Sequence, residues 1–206
     1  MVILHLGDFM DWKEVATGIV VVNNVGDGAQ YIKDVEKFVE REVLSWVPHN
    51  NKPLKEDLNR KAMNTMYINN IRRNGLVDPN NPTTKELVEE RLFNRFEKDF
   101  YEPLSRYTGE FKVPWTQKEN YEILKYGEGN FFIDHVDDGL YMTRKVSMVY
   151  YFNDDYEGGE IIFPRFDVEI KPKANQLLLF PAAYIYNHNV NEVTSGTRYS
   201  MVNWTK

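Results

Sequence analysis

The hydrophobic positions follow two different periods along the chain. Residues 29–46 place apolar side chains at near-helical spacing among charged ones, which predicts an amphipathic helix. The same spacing returns at 83–108, where the apolar stripe consists of Leu87, Leu92, Phe96, Phe100 and Leu104. Thr83 and Glu86 have the spacing of a capping box, and Gly109 stands where a helix C-cap is expected. The first half of the chain therefore predicts two helices that pack through one face.

Short apolar runs separated by Gly, Pro, Asn and Asp replace this pattern from Trp115 to Trp204. Runs of this kind predict strands, and we expect them at 121–126, 130–133, 146–152, 160–163, 167–170, 176–180, 183–190 and 198–204. Two earlier β-branched runs, Val2–Leu6 and Gly18–Val22, are also predicted strands. About eight short strands with this punctuation indicate a β-sandwich or jelly roll, so the predicted fold class is mainly β with N-terminal helices.

The segment 47–82 separates the two predicted helices and is rich in Asn and Pro, with weak periodicity. A connection of this length inside a compact domain is usually either disordered or functional, and we expect it to fold over a substrate as a lid. We expect one domain over 1–206. Within it, 1–110 would form a helical support with a flexible segment, and 111–206 would form the barrel core.

Composition and charge exclude several classes of protein. The 206 residues contain no cysteine, which excludes disulfides, a thiol nucleophile and thiolate-ligated metals. The formal net charge of −6 disfavours a duplex nucleic-acid binder, whose affinity comes largely from neutralising phosphates. No apolar run approaches a membrane span, and the first residues lack the basic and small-residue regions of a signal peptide. We therefore expect a soluble, cytoplasmic protein without nucleic-acid or membrane partners.

Three side chains have the composition of a metal site. His135 and Asp137 stand two residues apart, so on a strand both would project from one face, while Asp134 and Asp138 would project from the other. His188 lies in a later predicted strand. Two imidazoles and one carboxylate leave coordination positions open, as in the facial triad of non-haem Fe(II) oxygenases.

The spacing of His135 and Asp137 does not by itself establish a metal site, because a His-x-Asp sequence also occurs by chance. In the competing interpretation, His135 and His188 are ordinary strand residues, one hydrogen-bonded and one exposed. His5 and His49 have no partners at ligand spacing and are predicted to be non-catalytic.

Other motifs occur before, between and after these residues in the sequence. They are Tyr126–Gly129, Arg144, Val149–Asn153, Gly158–Glu160, Phe163, Pro172, Leu178–Phe180, Val193 and Gly196–Tyr199. In this order and spacing, residues from about Tyr121 to Trp204 resemble the 2-oxoglutarate- and Fe(II)-dependent dioxygenases of the prolyl 4-hydroxylase type. The resemblance covers about two fifths of the chain and implies a double-stranded β-helix, a cupin-like jelly roll supported by helices.

The resemblance also implies roles for individual residues. His135, Asp137 and His188 would ligate iron, and Arg198 would bind the distal carboxylate of 2-oxoglutarate, for which a planar guanidinium is well suited. These four would form the catalytic set. Tyr126 and Tyr151 would line the 2-oxoglutarate pocket and donate their hydroxyls, although each could equally be a core aromatic residue.

The implied reaction is hydroxylation of a peptidyl proline coupled to decarboxylation of 2-oxoglutarate to succinate. It requires Fe(II), 2-oxoglutarate and dioxygen, with ascorbate as an optional reductant, and a proline-containing protein or peptide as partner. The sequence leaves open the same chemistry on a free amino acid or another side chain, a cupin-like metal-binding protein, or a non-catalytic interaction module. Arg198 argues against the cupin-like alternative, which has no need of a carboxylate anchor. The oligomeric state is not indicated by the sequence.

Two positions depart from the pattern of the family. Collagen-type relatives usually carry lysine where this chain has Arg198, so the chain resembles the arginine-bearing branch. Ala174–Asn175 replaces the usual glycine before the strand at 176–180, and Asn175 is expected to adopt the left-handed turn that glycine would otherwise supply.

Overall fold

The computed structural model describes residues 11–48, 63–69, 81–139 and 143–206. Its two α-helices are α1 (Gly28–Glu40) and α2 (Thr84–Glu110). The strands before α2 are β1 (Trp12–Ala16), β2 (Ile19–Val22), β3 (Val47–Pro48) and β4 (Asn64–Ile68). Those after α2 are β5 (Tyr121–Tyr126), β6 (Phe132–His135), β7 (Val146–Tyr151), β8 (Glu157–Gly158), β9 (Ile161–Phe163), β10 (Val168–Ile170), β11 (Gln176–Pro181), β12 (His188–Val190), β13 (Val193–Ser195) and β14 (Arg198–Trp204). Neither described helix is long and apolar enough to cross a membrane.

The strands form two main sheets and one small ribbon. The larger sheet has the order β1-β2-β11-β7-β14-β5-β4-β3, and the smaller has the order β10-β9-β12-β6. Strands β8 and β13 form a separate antiparallel pair. This arrangement is the predicted double-stranded β-helix. Strands β1 to β4 extend the larger sheet with residues from before position 111.

The two faces of the larger sheet pack against different parts of the protein. Residues of one alternating set pack against the helices: Tyr121, Ile123, Val146, Met148, Tyr150, Leu177, Leu179, Tyr199 and Met201. The other set faces the smaller sheet, and includes Leu124, Tyr126, Val149, Tyr151, Leu178 and Phe180. Because successive side chains of a strand point to opposite faces, each central strand contributes both to the helical core and to the barrel interior.

Helix α2 begins with the predicted capping box. The Glu86 backbone N–H donates to the Thr83 hydroxyl at 3.3 Å, and the Thr83 N–H donates to the Glu86 carboxylate at 2.6 Å. The prediction of a C-cap at Gly109 was wrong, because the helix continues to Glu110 and is capped at Phe111. Leu87 was also wrongly assigned to the apolar stripe. It is 52% exposed, because it lies in the first turn on the side away from the core.

Helix α1 ends earlier than the predicted limit of residue 46. Glu42 adopts a left-handed conformation, with a φ of 58°. The Glu42 N–H donates to the carbonyl of Val39 at 2.9 Å, and the Val43 N–H donates to that of Phe38 at 2.9 Å. These bonds form a Schellman motif, which usually has glycine at the left-handed position and is therefore hard to recognise here. Leu44 is buried beyond the end of the helix.

Several strand predictions differ from the structure in position or extent. The predicted strand 130–133 is shifted to β6, and 183–190 divides into a 3-10 turn over Tyr184–Tyr186 followed by β12. Strand β1 was not predicted. Asn175 has the expected left-handed conformation, with a φ of 63°. The run Val2–Leu6, the residues His5 and His49, and most of the proposed lid at 47–82 lie outside the described residues. The described part of that segment contains β3 and β4.

A partly buried ion pair joins α1 to the larger sheet. The carboxylate of Glu36 accepts hydrogen bonds from Lys125 Nζ at 2.8 Å and from the Tyr199 hydroxyl at 2.6 Å. Partial burial opposes ionisation of Glu36, but these two hydrogen bonds and the charge of Lys125 outweigh it, so the pKa of Glu36 lies below its ordinary value of 4.5. A carboxyl group with a lowered pKa stabilises the fold at neutral pH, and this contribution is lost as the pH falls through the native pKa.

Glu36→Gln should therefore lower the free energy of unfolding by about 1 kcal/mol at pH 7, since hydrogen bonds to a charged group contribute more than those to a neutral one. The difference from the wild type should become smaller at a second pH below the native pKa of Glu36, where both side chains are neutral. Chemical denaturation at the two pH values measures this. Glu40→Gln is the control, because Glu40 is exposed on the same helix. An equal loss of stability at both pH values would contradict the assignment.

Candidate metal and cosubstrate site

A cavity lies between the two sheets. Its walls are mainly apolar and come from both sheets: Met63, Leu124, Phe132, Val149, Ile161, Val190 and Val202. Its polar lining includes His135, Asp137, His188 and Arg198. This combination of apolar walls with a few convergent polar groups is typical of sites for small molecules.

His135, Asp137 and His188 converge at one end of this cavity. Asp137 Oδ1 lies 3.6 Å from His135 Nε2, and Asp137 Oδ2 lies 3.9 Å from His188 Nε2. One ligand atom from each of the three residues lies within 4.8 Å of the others. His135 and His188 are directly opposite each other in the antiparallel pair of β6 and β12. The pairing of these two short strands therefore brings together residues that are far apart in the sequence.

Backbone carbonyls orient both imidazoles. Nδ1 of His135 lies 2.9 Å from the carbonyl oxygen of Ile133, and Nδ1 of His188 lies 3.0 Å from that of Tyr186. A carbonyl can only accept, so each Nδ1 carries a proton and Nε2 is the ring nitrogen left to face the cavity. This is the tautomer that a metal requires when Nε2 is the ligand.

Asp137 owes its position to a bend and not to strand alternation. Strand β6 ends at His135, so the predicted placement of both residues on one strand was wrong in that detail. The Ser147 hydroxyl donates to Asp137 Oδ2 at 2.7 Å. Arg144 donates to the Asp137 carbonyl at 3.2 Å, and its guanidinium stacks 3.5 Å from the centre of the Trp204 ring. These contacts hold the carboxylate where the strand no longer does.

The electrostatics of the cluster keep Asp137 ionised. Burial opposes its negative charge, but the two imidazoles of His188 and His135 and the hydrogen bonds from Ser147 and Trp204 outweigh burial, so the pKa of Asp137 is lowered. A buried carboxylate that stays charged beside two imidazole nitrogens fits a divalent cation, and the donor set of two nitrogens and one oxygen fits Fe(II).

Arg198 also lines the cavity and is 1% exposed. Its guanidinium carbon is 4.7 Å from the centre of the Tyr126 ring and 5.1 Å from that of Tyr151, and one terminal nitrogen donates to the Ser200 hydroxyl at 3.1 Å. It makes no salt bridge with a carboxylate of any described residue. A buried cation without an anionic partner is costly, so this environment fits a ligand that brings its own carboxylate.

The tyrosines around Arg198 are poised as donors. Burial raises the pKa of Tyr126 to about 12 despite the opposing effect of Arg198, and burial likewise raises that of Tyr151. Both phenols therefore stay protonated at neutral pH. Tyr126 lines the cavity, whereas Tyr151 lies behind Arg198. The hydroxyls of Tyr151 and Tyr156 and the Nε of Arg198 are buried without a hydrogen-bond partner among the described residues.

Unsatisfied buried polar atoms are uncommon in native structures, since each costs roughly 1–3 kcal/mol. Their concentration around one guanidinium supports a site for a carboxylate. Gly159 allows the guanidinium to approach so closely. A Cβ there would lie 2.9 Å from Arg198 Cδ and 3.0 Å from Tyr156 Cε2, and the φ of 68° also disfavours other residues. The sequence analysis did not predict this contact between Gly159 and Arg198.

The cavity thus brings together His135, Asp137, His188, Arg198 and Tyr126, five of the six predicted site residues, with Tyr151 adjacent. The sequence analysis missed Ser147, Tyr156 and Trp204 as supporting residues. Ser147 and Trp204 are cross-strand neighbours in the β14–β7 pair, which only the folded structure shows. No sequence signal indicated Tyr156.

Comparison with known proteins agrees with this geometry. Residues 121–206 match the model of the 2OG-Fe(II) oxygenase superfamily. Human prolyl 3-hydroxylase 2 is 38% identical over 69 residues, which cover 31% of this chain and 10% of that protein. A PKHD-type hydroxylase from Picosynechococcus sp. is 35% identical over 88 residues, which cover 40% of this chain and 39% of that protein. The matches therefore span well under half of these relatives.

Solved structures show the fold over most of the chain. A prolyl hydroxylase from Trichoplax adhaerens, in complex with a peptide fragment of the hypoxia inducible factor oxygen degradation domain, superposes with a TM-score of 0.67 at 20% identity, covering 91% of this chain and 83% of that one. A Pseudomonas putida prolyl-4-hydroxylase gives a TM-score of 0.63 at 16% identity, covering 92% of each chain. The resemblance found in the sequence is confirmed over residues 121–206, which match the 2OG-Fe(II) oxygenase superfamily, and solved prolyl hydroxylases share the double-stranded β-helix fold of this chain.

Proposed function

We propose that this protein is an Fe(II)- and 2-oxoglutarate-dependent dioxygenase that hydroxylates a peptidyl proline. The observation that carries the proposal is the pairing, in one cavity, of a two-histidine, one-carboxylate cluster with a buried arginine that has no carboxylate partner among the described residues. Either half alone fits several functions. Together they fit a divalent metal and a ligand that reaches from that metal to a cationic anchor.

His135, Asp137 and His188 would hold Fe(II) through Nε2, a carboxylate oxygen and Nε2, while Arg198 would pair with the distal carboxylate of 2-oxoglutarate. When bound, the iron and the cosubstrate supply oxidative chemistry in which dioxygen is consumed, 2-oxoglutarate becomes succinate and carbon dioxide, and one oxygen atom enters a substrate C–H bond. The Tyr126 hydroxyl would donate a hydrogen bond to the same distal carboxylate.

The protein contributes positioning and the exclusion of water. Leu124, Val149, Ile161 and Val202 surround the polar groups with apolar surface, so a bound cosubstrate would have few water molecules around it. The bonds from the Ser147 hydroxyl and the Ile133 and Tyr186 carbonyls fix the three metal-binding side chains before any ligand arrives. Such preorganisation lowers the cost of assembling the site.

Peptidyl proline is supported by the similar proteins, several of which are named as prolyl hydroxylases. The Trichoplax protein was solved with a peptide fragment bound, which supports a protein or peptide as the partner of this chain. The apolar walls of the cavity suit an uncharged ring such as that of proline. Hydroxylation of a free amino acid or of another side chain is the main alternative, because a fold does not determine a substrate.

The test is an anaerobic titration of the purified protein with Fe(II) and 2-oxoglutarate, followed by visible absorbance. We expect a metal-to-ligand charge-transfer band that requires both ligands. A screen of proline-containing peptides, with mass spectrometry for a gain of one oxygen atom and an assay for succinate, then tests the substrate. Bound iron without the band would exclude 2-oxoglutarate as the cosubstrate, and absence of iron binding would leave a non-catalytic interaction module.

A further inference from the structure

The two strands that carry the histidines are joined outside the cavity by a polar group that we call the rim clamp, defined as Asp134, Arg165 and Asn187. The Asn187 side-chain amide donates to both carboxylate oxygens of Asp134, at 2.9 Å each. Arg165 Nε donates to Asn187 Oδ1, also at 2.9 Å. The bond from Arg165 fixes the amide so that its nitrogen faces Asp134. The clamp therefore has one consistent pattern of donors and acceptors.

Two residues of the rim clamp are the immediate sequence neighbours of the two histidines. Asp134 directly precedes His135, and Asn187 directly precedes His188. Each histidine is oriented by the carbonyl two residues earlier, so each clamp residue stands between an imidazole and the carbonyl that holds it. The hydrogen bonds between Asp134 and Asn187 therefore connect two units across the strands, each made of an imidazole and the carbonyl that orients it.

The backbone ladder that joins these two units is short and irregular. Strand β6 ends at His135, β12 begins at His188, and their pairing is irregular between His188 and Val190. Asn187 directly precedes β12 and caps the 3-10 turn over Tyr184–Tyr186, so it lies outside the strand. A side-chain connection at this point restrains a separation that the ladder leaves loose.

We propose that the rim clamp is a positioning group that fixes the distance between His135 Nε2 and His188 Nε2 and thereby strengthens metal binding without contacting the metal. This inference rests on the proposed function, since it requires that the histidines bind a metal. Residues that position metal ligands typically contribute 10- to 100-fold to metal affinity. The clamp is largely exposed, so we expect an effect of about tenfold, at the lower end of that range.

The experiment is an anaerobic titration with Co(II), followed by its d–d absorption in the absence of 2-oxoglutarate and substrate. Asn187→Ala should weaken Co(II) binding about tenfold, because it removes the clamp without changing the charge. Asn189→Ala is the matched control, since Asn189 follows His188 directly and makes no side-chain hydrogen bond to a described residue. Its affinity should match that of the wild type.

Variants that change the charge of the rim clamp distinguish a positioning role from a purely electrostatic effect on metal binding. Asn187→Asp adds a negative charge near the metal, which on electrostatic grounds alone would strengthen binding, but it also sets two carboxylates against each other. The clamp predicts weaker binding, at least as weak as in Asn187→Ala. The double variant Asp134→Asn with Asn187→Asp exchanges the partners, keeps the net charge, and should restore the affinity to within about threefold of the wild type.

The proposal would be overturned if Asn187→Ala bound Co(II) as tightly as the wild type. It would also be overturned if the double variant bound Co(II) no more tightly than Asn187→Asp. The melting temperature of each metal-free variant should stay within about 3 °C of the wild type, because exposed substitutions change stability little. A larger fall for Asn187→Ala would show that the residue serves stability instead. If the wild type itself binds no Co(II), the proposed function fails too, so the two failures are distinguishable.

Discussion

Asp137→Asn should weaken binding of Fe(II) by at least about 100-fold, since Asp137 is the only anionic member of the His135–Asp137–His188 cluster and supporting residues alone contribute up to that amount. The substitution keeps the size of the side chain and an oxygen that can accept from Ser147, but it removes the charge. Neutral amide oxygens offset little of the charge of a divalent cation. Isothermal titration calorimetry under anaerobic conditions measures the change.

Stability of the metal-free protein should also respond. Burial opposes ionisation of Asp137, but its neighbours outweigh burial and lower its pKa, so the charge stabilises the fold at neutral pH. Asp137→Asn should therefore lower the melting temperature of the apo protein. Asp138→Asn is the control, because it changes the net charge equally at an exposed neighbouring position. Similar losses of affinity in both variants would indicate a general charge effect and contradict the assignment of Asp137 as a ligand.

Arg198→Met should weaken binding of 2-oxoglutarate by about 100-fold while leaving the affinity for Fe(II) within about threefold of the wild type. Truncating one partner of a desolvated, hydrogen-bonded charge pair costs about 2–5 kcal/mol, and about 3 kcal/mol corresponds to 100-fold. Arg198→Lys keeps the charge but loses the planar fork, so its loss should be intermediate, about tenfold. Titration of 2-oxoglutarate into the protein loaded with Fe(II) gives both values.

The apo protein again provides the check on folding. Arg198 makes no salt bridge with any described carboxylate, so its removal leaves no buried anion unpaired. Arg198→Met should therefore fold as well as the wild type, and equal affinity for 2-oxoglutarate in the two proteins would exclude Arg198 as the anchor. The paired result for Asp137 and Arg198 would divide the cavity into a metal half and a carboxylate half.

The features that the sequence predicted are those encoded over short distances. The capping box at Thr83 and Glu86 needs only three residues of spacing, and the alternation and turn residues after Trp115 suffice for a mainly β fold. The features it missed depend on contacts between distant segments or on unusual residues. Glu42 in a Schellman motif is an example, because its left-handed conformation is rarely adopted by glutamate.

The same distinction applies to the site. His135, Asp137 and His188 could be identified from residue type and from a family resemblance, and Arg198 from its place after the second histidine. Tyr156 could not, since its approach to Arg198 depends on how β8 and β13 pair beneath the guanidinium, at Gly159. The bend after β6 was equally hidden, because strand alternation would have given Asp137 the same direction. The division of the chain at residue 110 stays a prediction.

The alternation along the central strands has a consequence for how the protein can evolve. On β14, Arg198, Ser200 and Val202 line the cavity, while Tyr199 and Met201 pack toward the helices. Point substitutions at the first set can alter ligand preference with little change in the support, and those at the second set mainly affect folding. A one-residue insertion or deletion would exchange the two sets at once. New specificities in this scaffold should therefore arise by replacement along the strands and by length changes in the loops.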